Sequence, residues 1–513
     1  MTSDDPTDPR RPSGLRALAG AMRSRRTASV ALLSFASGLP LGLVWIAIPD
    51  WMRSVGFDIR LVGLTTLAHA PWTFKMLWAP LMDRYAPPWL GRRRGWIAIT
   101  QVALFALTLM MAGAGDHPDT PWVVLGLALA IAFASASQDI VIDAYAVDVL
   151  RRDEQGVAVG ARTAVYRAAM YVAGALAITL ASRFSWPVVN VCLAAMYLPM
   201  LIVTWRAPEP VTPVSVPKGL GEAVWRPFLG LLSRHRALEI LAFVLLYKLA
   251  DNLAQSLQRP FLVDMGYDAL DRGIALGTVG LVGTIVGTFL GGALTTTMGL
   301  GHSLWVFGFL QIFSNLGFVL VSQSAVNRPL MYGAMSFETF TTGLGMGAFG
   351  VLLLRMTQKR FSATQYAVLS SIFALPRLVA GPVTGIVVHS VGWTNFYWFT
   401  MVAGVPGLLL LARFVPIGCR EPAFTVEPPR DRKPLSRTAL VLRALAGGVL
   451  AFALSLAVMA TLAALERMRV NEAAAFDPTD TSSLVTLLGC AVFGAVCALC
   501  TAAVFAARHG AAE

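Results

Sequence analysis

The sequence predicts an all-α integral membrane protein made of two six-helix halves, followed by two further transmembrane helices. Three observations predict it. The chain of 513 residues is 56% hydrophobic and only 14% charged, with a mean hydropathy of +0.64, whereas a soluble protein carries about 25% charge. Its apolar residues fall in segments of about 20, enough for a helix to cross a ~30 Å hydrocarbon core. The first twelve of these segments form two sets of six whose starts recur at an offset near 209.

Residues 1–27 are polar and rich in Pro and Arg, and are expected to be a disordered cytoplasmic start. The basic run before the first apolar segment has no small-residue cleavage site after it, so that segment reads as an uncleaved first helix. Spans 1–6 are placed at 28–49, 60–82, 95–114, 121–146, 157–182 and 187–206, giving an N-terminal half of 28–206. A linker at 207–236 begins with a Pro-rich tether and continues as an amphipathic helix with Trp225, Phe228 and Leu231 on its apolar face. Spans 7–12, at 237–262, 271–296, 303–322, 330–354, 364–389 and 394–416, give a C-terminal half of 237–416. A second linker, 417–437, leads to spans 13 and 14 at 438–465 and 482–507 and a tail at 508–513.

Charge sets the orientation. About 28 of the 41 Lys and Arg residues fall in the two termini and the loops on the same side, which places both termini in the cytoplasm by the positive-inside rule. The same distribution accounts for the net charge of +12. No zinc-type cluster or RNP-like aromatic motif supports a nucleic-acid partner. Of the five cysteines, Cys192, Cys419, Cys490, Cys497 and Cys500, the last two form a C-x-x-C inside apolar sequence without a βαβ context. Neither a disulfide framework nor a metal site nor any other cofactor is implied. No lysine follows a glycine, so there is no Walker A motif. Transport must then be secondary, or powered by a separate subunit. A membrane enzyme would need convergent catalytic groups, and His is scarce, with six in the chain. A monomer is expected, in contact with the lipid bilayer.

Charges inside spans are costly and mark function by default. Span 4 carries Gln138, Asp139 and Asp143, the two acids one helical turn apart and on one face. Asp143, nearer the cytoplasm, reads as a gate partner of an arginine such as Arg162. Asp139, deeper, reads as a proton or substrate group. Arg167 in span 5 and Arg377 in span 11 stand 210 positions apart, as do Gln155 and Gln365. The arginines read either as substrate contacts or as packing partners of the buried acids. In span 7, Lys248 and Asp251 are spaced i,i+3 and can pair locally, while Asn252 and Gln255 extend a polar face. A structural or gating pair competes there with a ligand contact, and Asp251 is also a proton-coupling candidate. Glu338 stands alone in span 10, either a proton carrier or a neutral acid bonded to a neighbour. Lys75 and His69 in span 2 can line the same cavity, although a lone His is more often a packing residue. Arg259 completes the set of charges assigned to span interiors. The loop W-A-P-L-M-D-R-Y-A-P-P-W-L-G-R-R-R-G-W at 78–96 resembles the loop pattern G-x-x-x-D-R-x-G-R-R of the major facilitator superfamily. The resemblance implies that Asp83 locks the cytoplasmic interface, with Arg84, Arg92, Arg93 and Arg94 as gate and anchor. A plain positive-inside cluster is the competing reading.

Six-span halves joined by a cytoplasmic linker are also the architecture of that superfamily, in which one half rocks against the other around a central site. Within it, F-A-S-G-L-P-L (35–41), F-K-M-L-W-A-P-L-M-D-R-Y (74–85), S-A-S-Q-D-I-V-I-D-A-Y (135–145), L-Y-K-L-A-D (246–251) and F-S-A-T-Q-Y-A-V-L-S (361–370) resemble the AmpG-type muropeptide permeases over about 28–416. The two additional C-terminal spans match as well. The acetyl-CoA transporters are more distant sisters. The resemblance implies import of anhydro-muropeptides, N-acetylglucosaminyl-anhydro-N-acetylmuramic acid with or without a peptide, across the bacterial inner membrane for cell-wall recycling, driven by protons. Transport of another anionic solute, such as an acyl-CoA or a peptide, is the alternative. Two cations of the family pattern are absent: Tyr145, Ala146 and Val147 precede Asp148 where the pattern has Trp-Lys-Thr before an Asp, and span 8 lacks a Lys.

Overall fold

The structure, a computed structural model, describes residues 15–57, 62, 65–114, 121–209, 219–232, 237–422 and 436–470, together with 494, 498, 501–502 and 505. Secondary structure among the described residues is helical throughout. Ten helices among them are long and apolar enough to cross a membrane, from Arg25–Ser54 in span 1 to Thr438–Ala457 in span 13. The chain is a multi-pass membrane protein. Most of the expected span 14, with Cys490, Cys497 and Cys500, lies outside the described residues. So does most of the Pro-rich tether.

Part of the N-terminal stretch expected to be disordered is helical. Leu15, Leu18 and Met22 recur at helical spacing in the helix Leu15–Met22, which lies against spans 5 and 8. Ser24 then caps span 1 by accepting from the Arg26 N–H, and its hydroxyl donates to Glu154 at 2.6 Å.

The two six-helix halves fall in one compact unit, Met1–Ala223 with Leu238–Ala423. Each half has its own core. The first is built around Trp51, Trp186, Leu39 and Ile131, the second around Phe261, Phe318, Phe396 and Tyr397. The other unit, Val224–Ala237 with Phe424–Glu513, holds most of the linker helix Leu220–Leu232. In it Trp225 and Leu229 pack with Leu440, Ala444 and Phe505, and the Arg443 guanidinium lies 4.7 Å over the Phe505 ring. Gly447 and Gly448 lie against Thr501, Ala498 and Gly494, so a side chain at either would collide.

Irregular turns interrupt several spans, among them the two that carry the buried lysines, whereas spans 4 and 10 run unbroken. Span 2 runs as short pieces, Thr65–His69, Ala70–Phe74, Lys75–Leu77 and Ala79–Arg84. Pro71 and Pro80 each sit in a first helical turn, where a missing N–H does no harm. Lys75 heads one of these pieces and is buried. Span 7 breaks at Lys248 and again at Leu257, giving Ala237–Leu246, Leu249–Ser256 and Gln258–Asp264. Spans 11 and 12 run as one helical stretch, Ser362–Phe414, broken only at Gly392 with φ 78°, a value only glycine adopts without strain. Spans 1 and 5 each contain a π turn, Leu43–Ala47 and Val172–Leu176, and touch through Gly38 and Gly42.

The halves meet where glycines let backbones approach. Gly156 and Gly160 of span 5 face Gly292, Phe289 and Thr296 of span 8, and Gly347 of span 10 lies on the other side of Gly292. A side chain at Gly156 would run into the Thr296 hydroxyl and the Gly292 carbonyl. Gly42, by contrast, faces the Met170 carbonyl of its own half. Overpacking costs about 1–3 kcal/mol, but its target differs. Gly42→Val is predicted to lower the thermal midpoint of the purified protein. Gly156→Val is predicted to leave the midpoint within a few degrees and to raise maleimide labelling of a cysteine placed at the buried Val159. Equal losses of midpoint for the two variants would contradict this division.

Candidate functional site

The charged groups arrange themselves in layers, beginning at the end of the bundle that carries the loop between spans 2 and 3. Here Asp83 is fully buried and accepts from the N–H of Ala363 at 3.3 Å, the N–H of Thr364 at 2.8 Å and the Thr364 hydroxyl at 2.7 Å. Phe361, which precedes the helix of span 11, offers no side-chain cap. A carboxylate of one half therefore caps a helix of the other, satisfying orphan donors and meeting the positive helix end. Arg93, also buried, donates to Asp83 at 2.7 Å, Asp148 at 2.8 Å and the Ser362 hydroxyl at 2.6 Å. Ser362 in turn donates to Asp148 at 2.8 Å, and Arg92 reaches Asp148 at 3.4 Å.

The neighbouring arginines do other work. Arg94 bonds the carbonyls of Trp205 and Ala207 and pairs with Glu209, fixing the start of the linker. Arg84 stands over the Tyr85 ring at 5.4 Å and is outside this network. Gln155 accepts from Arg355 at 3.2 Å, joining spans 5 and 10. Six hydrogen bonds between the two halves lie at this end of the bundle.

One layer deeper, Asp143 pairs with Lys75 at 3.4 Å and with Arg162. Tyr366 of span 11 stands beside the Arg162 guanidinium, so this layer too spans both halves. Asp139 is half-buried, with Ser37, Lys75 and Arg162 as electrostatic neighbours. Gln138 is fully buried, and neither of its amide atoms is hydrogen-bonded. His69 is exposed and packs on Trp45, ring centroids 4.5 Å apart.

The second half has a polar core of its own. Lys248, at the break in span 7, donates to Asp251 at 2.7 Å, to the Thr342 carbonyl at 3.0 Å and to Gln311. The Thr342 hydroxyl lies 3.1 Å from Asp251 and 3.2 Å from Glu338. Glu338 also accepts from Gln255 at 2.6 Å and Gln258 at 3.4 Å. It is not solitary, as its place in the sequence implies, because span 7 supplies two amides. Asn252 is half-buried and takes no part in these bonds.

Arg167 and Arg377 are left. Among the described residues neither makes an ion pair or a hydrogen bond; Arg167 is half-buried and Arg377 exposed. They lie within electrostatic range of one another, with Tyr166 close to both. Packing against the buried acids is therefore not their role here, and the acids take Lys75, Arg162 and Lys248 instead. Arg259 is exposed. No group of three or more His, Cys, Asp or Glu that could hold a metal occurs among the described residues.

Sequence reasoning missed Asp148, Ser362, Thr364, Gln258, Gln311, Thr342, Tyr166 and Tyr366. Asp148 near a helix end reads as an ordinary interfacial charge, and Ser and Thr in an apolar span carry no local signal of a partner.

Residues 30–381 match the Major Facilitator Superfamily. The chain is 42% identical over 388 residues to the anhydromuropeptide permease of Escherichia coli (strain K12), a match covering 75% of this chain and 79% of that protein. Among solved structures, the human organic anion transporter MFSD10 (TETRAN) superposes with a TM-score of 0.57 at 12% identity, covering 75% of this chain and 99% of that one. The proton:xylose symporter XylE bound to 6-bromo-6-deoxy-D-glucose gives a TM-score of 0.55, also at 12% identity, covering 76% and 96%. At such identities the likeness concerns the fold alone.

Removing one partner of a buried charge pair costs about 3–5 kcal/mol. Asp83→Ala is thus predicted to speed hydrogen exchange at 361–370 by about a hundredfold or more, since the Ala363 and Thr364 amides lose their acceptor. Asp83→Asn, which keeps an acceptor oxygen, falls between. Mass spectrometry of the peptic fragments reads both, and exchange in Asp83→Ala within twofold of the unaltered protein contradicts the capping role.

Proposed function

The chain belongs to the major facilitator superfamily and, within it, to the AmpG-type muropeptide permeases, and from that premise we propose that it imports anhydro-muropeptides from periplasm to cytoplasm by proton symport. It is a transporter and not an enzyme. The observation that carries the reading is the extended 42% identity to a permease of that name, joined to a site whose charges suit an acidic ligand. A muropeptide bears carboxylates, and arginine holds a carboxylate through two parallel hydrogen bonds.

In this reading Arg167 and Arg377 hold the substrate, with Gln138 beside them on span 4 and the polar face of Lys248, Asn252 and Gln255 contributing from span 7. Lys75 is absorbed into the Asp143 pair and acts through it. Asp83, Arg92, Arg93 and Asp148 form the cytoplasmic gate, and Asp143 with Arg162 a second layer behind it. Arg84 and Arg94 anchor the loop and the linker. The basic residues at this end support a cytoplasmic location for it and for both termini. On this reading the cross-half bonds of Asp83, Arg93 and Asp148 close the cytoplasmic end, and substrate is received from the periplasm. Asp139, Asp251 and Glu338 are the carboxylates available to carry the driving proton. Glu338 is held by amides and a hydroxyl rather than by a cation, so protonation breaks no ion pair.

Uptake of a radiolabelled disaccharide-peptide into proteoliposomes under an imposed proton gradient tests this. Uptake is predicted to collapse with an uncoupler, and to be competed by muropeptide but not by an acyl-CoA. Asp139→Asn with Glu338→Gln is predicted to abolish accumulation against a gradient while leaving downhill exchange. Uncoupler-insensitive accumulation would remove proton symport, and effective competition by acyl-CoA would move the substrate class.

A further inference from the structure

Two buried carboxylates of the second half are joined through a single hydroxyl. Thr342 stands one helical turn beyond Glu338 on span 10, and its Oγ1 lies 3.2 Å from Glu338 Oε1 and 3.1 Å from Asp251 Oδ2 of span 7. Gln255 Nε2 donates to the same Oγ1 at 3.3 Å. A threonine hydroxyl has one hydrogen to give and two lone pairs to offer. With both acids ionised that hydrogen serves one of them, and the other carboxylate faces a lone pair. With a proton on Glu338 every position is used: Glu338 and Gln255 donate to Oγ1, and Oγ1 donates to Asp251. Charge selects the same arrangement. Lys248, Asp251, Glu338 and Thr342 are all buried. Among the described residues Lys248 is the one cation bonded to this cluster, so two ionised acids would leave a net buried negative charge. Asp251 holds the ionised place: it takes the Lys248 ammonium at 2.7 Å and lies in the first turn of Leu249–Ser256, where the helix dipole favours an anion. Tyr247 and Tyr397 are the other titratable groups in electrostatic range. Tyr247 gives its hydroxyl hydrogen to the Leu304 carbonyl at 2.9 Å, and the Tyr397 hydroxyl bonds to neither acid.

We propose that Thr342 is the relay that carries the driving proton from Glu338 to Asp251. The relay rests on the proton symport proposed above; the resting place of the proton on Glu338 does not. In the transfer the Glu338 O–H bond breaks as its proton joins Oγ1, and the hydrogen that Oγ1 already carried leaves for Asp251 Oδ2. Thr342 ends with one hydrogen, as it began. Glu338 becomes the carboxylate and Asp251 the neutral acid, so the buried net charge is unchanged. What moves is the negative charge, which leaves the break in span 7 for span 10, two hydrogen bonds away. Lys248 then loses its ion-pair partner and keeps two neutral acceptors, the Thr342 carbonyl at 3.0 Å and Gln311. Lys248 occupies the joint between Ala237–Leu246 and Leu249–Ser256, so a proton received in the unbroken span 10 takes effect where span 7 is interrupted. Valine in place of Thr342 fills similar space but neither accepts nor donates, whereas serine does both.

Two measurements on the full chain test this. Infrared spectroscopy of the protein in lipid nanodiscs should show the carbonyl band of a protonated carboxyl that Glu338→Gln removes. Thr342→Val should shift that band, because the acid loses its acceptor, and Thr342→Ser should leave it in place. In proteoliposomes, Thr342→Val should lower the initial rate of proton-driven accumulation of the disaccharide-peptide about a hundredfold more than it lowers exchange of labelled for unlabelled compound. Thr342→Ser should restore the ratio of the two rates. A merely structural role would lower both rates together. The relay is overturned if Thr342→Val keeps that ratio within about twofold of the unaltered protein, if its band does not move, or if Glu338→Gln removes no band. Should Thr342→Val fail to fold, Thr342→Ala takes its place in both measurements, with the same outcomes. Uncoupler-insensitive accumulation by the unaltered protein is a different failure, which removes symport and with it the step to Asp251. If the disaccharide-peptide is not carried at all, the substrate assignment falls and the infrared bands alone decide the relay.

Discussion

One carboxylate ties the two halves of this protein together. Asp83, on the last turn of span 2, has no exposed surface and accepts from the first amides of a helix in the other half. A buried carboxylate survives only where its charge is answered. Here Arg93 answers it, and Arg93 needs Asp148, whose remaining oxygen takes the Ser362 hydroxyl. Each member is costly alone and satisfied only when spans 2, 3, 4 and 11 come together. The glycine crossing of spans 5 and 8 contributes close packing without charge, so the two sides of the interface are sealed by different physics.

The layers behind follow the same rule of accounting for every charge. Asp143 takes the cations of spans 2 and 5, and Asp251 takes the lysine at the break in span 7. Glu338 is answered by amides and a hydroxyl, which serve a charged or a neutral acid. Among the described residues Arg167 and Arg377 make no ion pair.

Much of the fold was legible in the sequence because it depends on local or periodic properties. Apolar length gives the spans, and the offset of 210 between Arg167 and Arg377 relates a helix of one half to a helix of the other. The Lys248–Asp251 pair was readable because i,i+3 partners meet on any helix. Asp83 was found through its loop motif. Its partners Ser362 and Thr364 were not, since they lie roughly 280 residues away and are chosen by the docking of the halves. The breaks in spans 2 and 7, at which the buried Lys75 and Lys248 sit, were also invisible as such, because an interrupted apolar run scores like a continuous one. The helix at Leu15–Met22 was hidden by the polar composition around it.

Transport by rocking of one half against the other requires the interface sealed by Asp83 and by the glycine crossing to open. Val159 and Gly350 face each other across it, and a Cβ built on Gly350 lies 3.7 Å from that of Val159, a separation that suits a disulfide. Cysteines at these two positions, in a background lacking the native ones, allow the halves to be fastened and released. Uptake measured before oxidation, after it and after reduction tests the claim directly. Oxidation is predicted to abolish uptake while muropeptide still binds, and reduction to restore it. Undiminished uptake by the fully oxidised protein would contradict it.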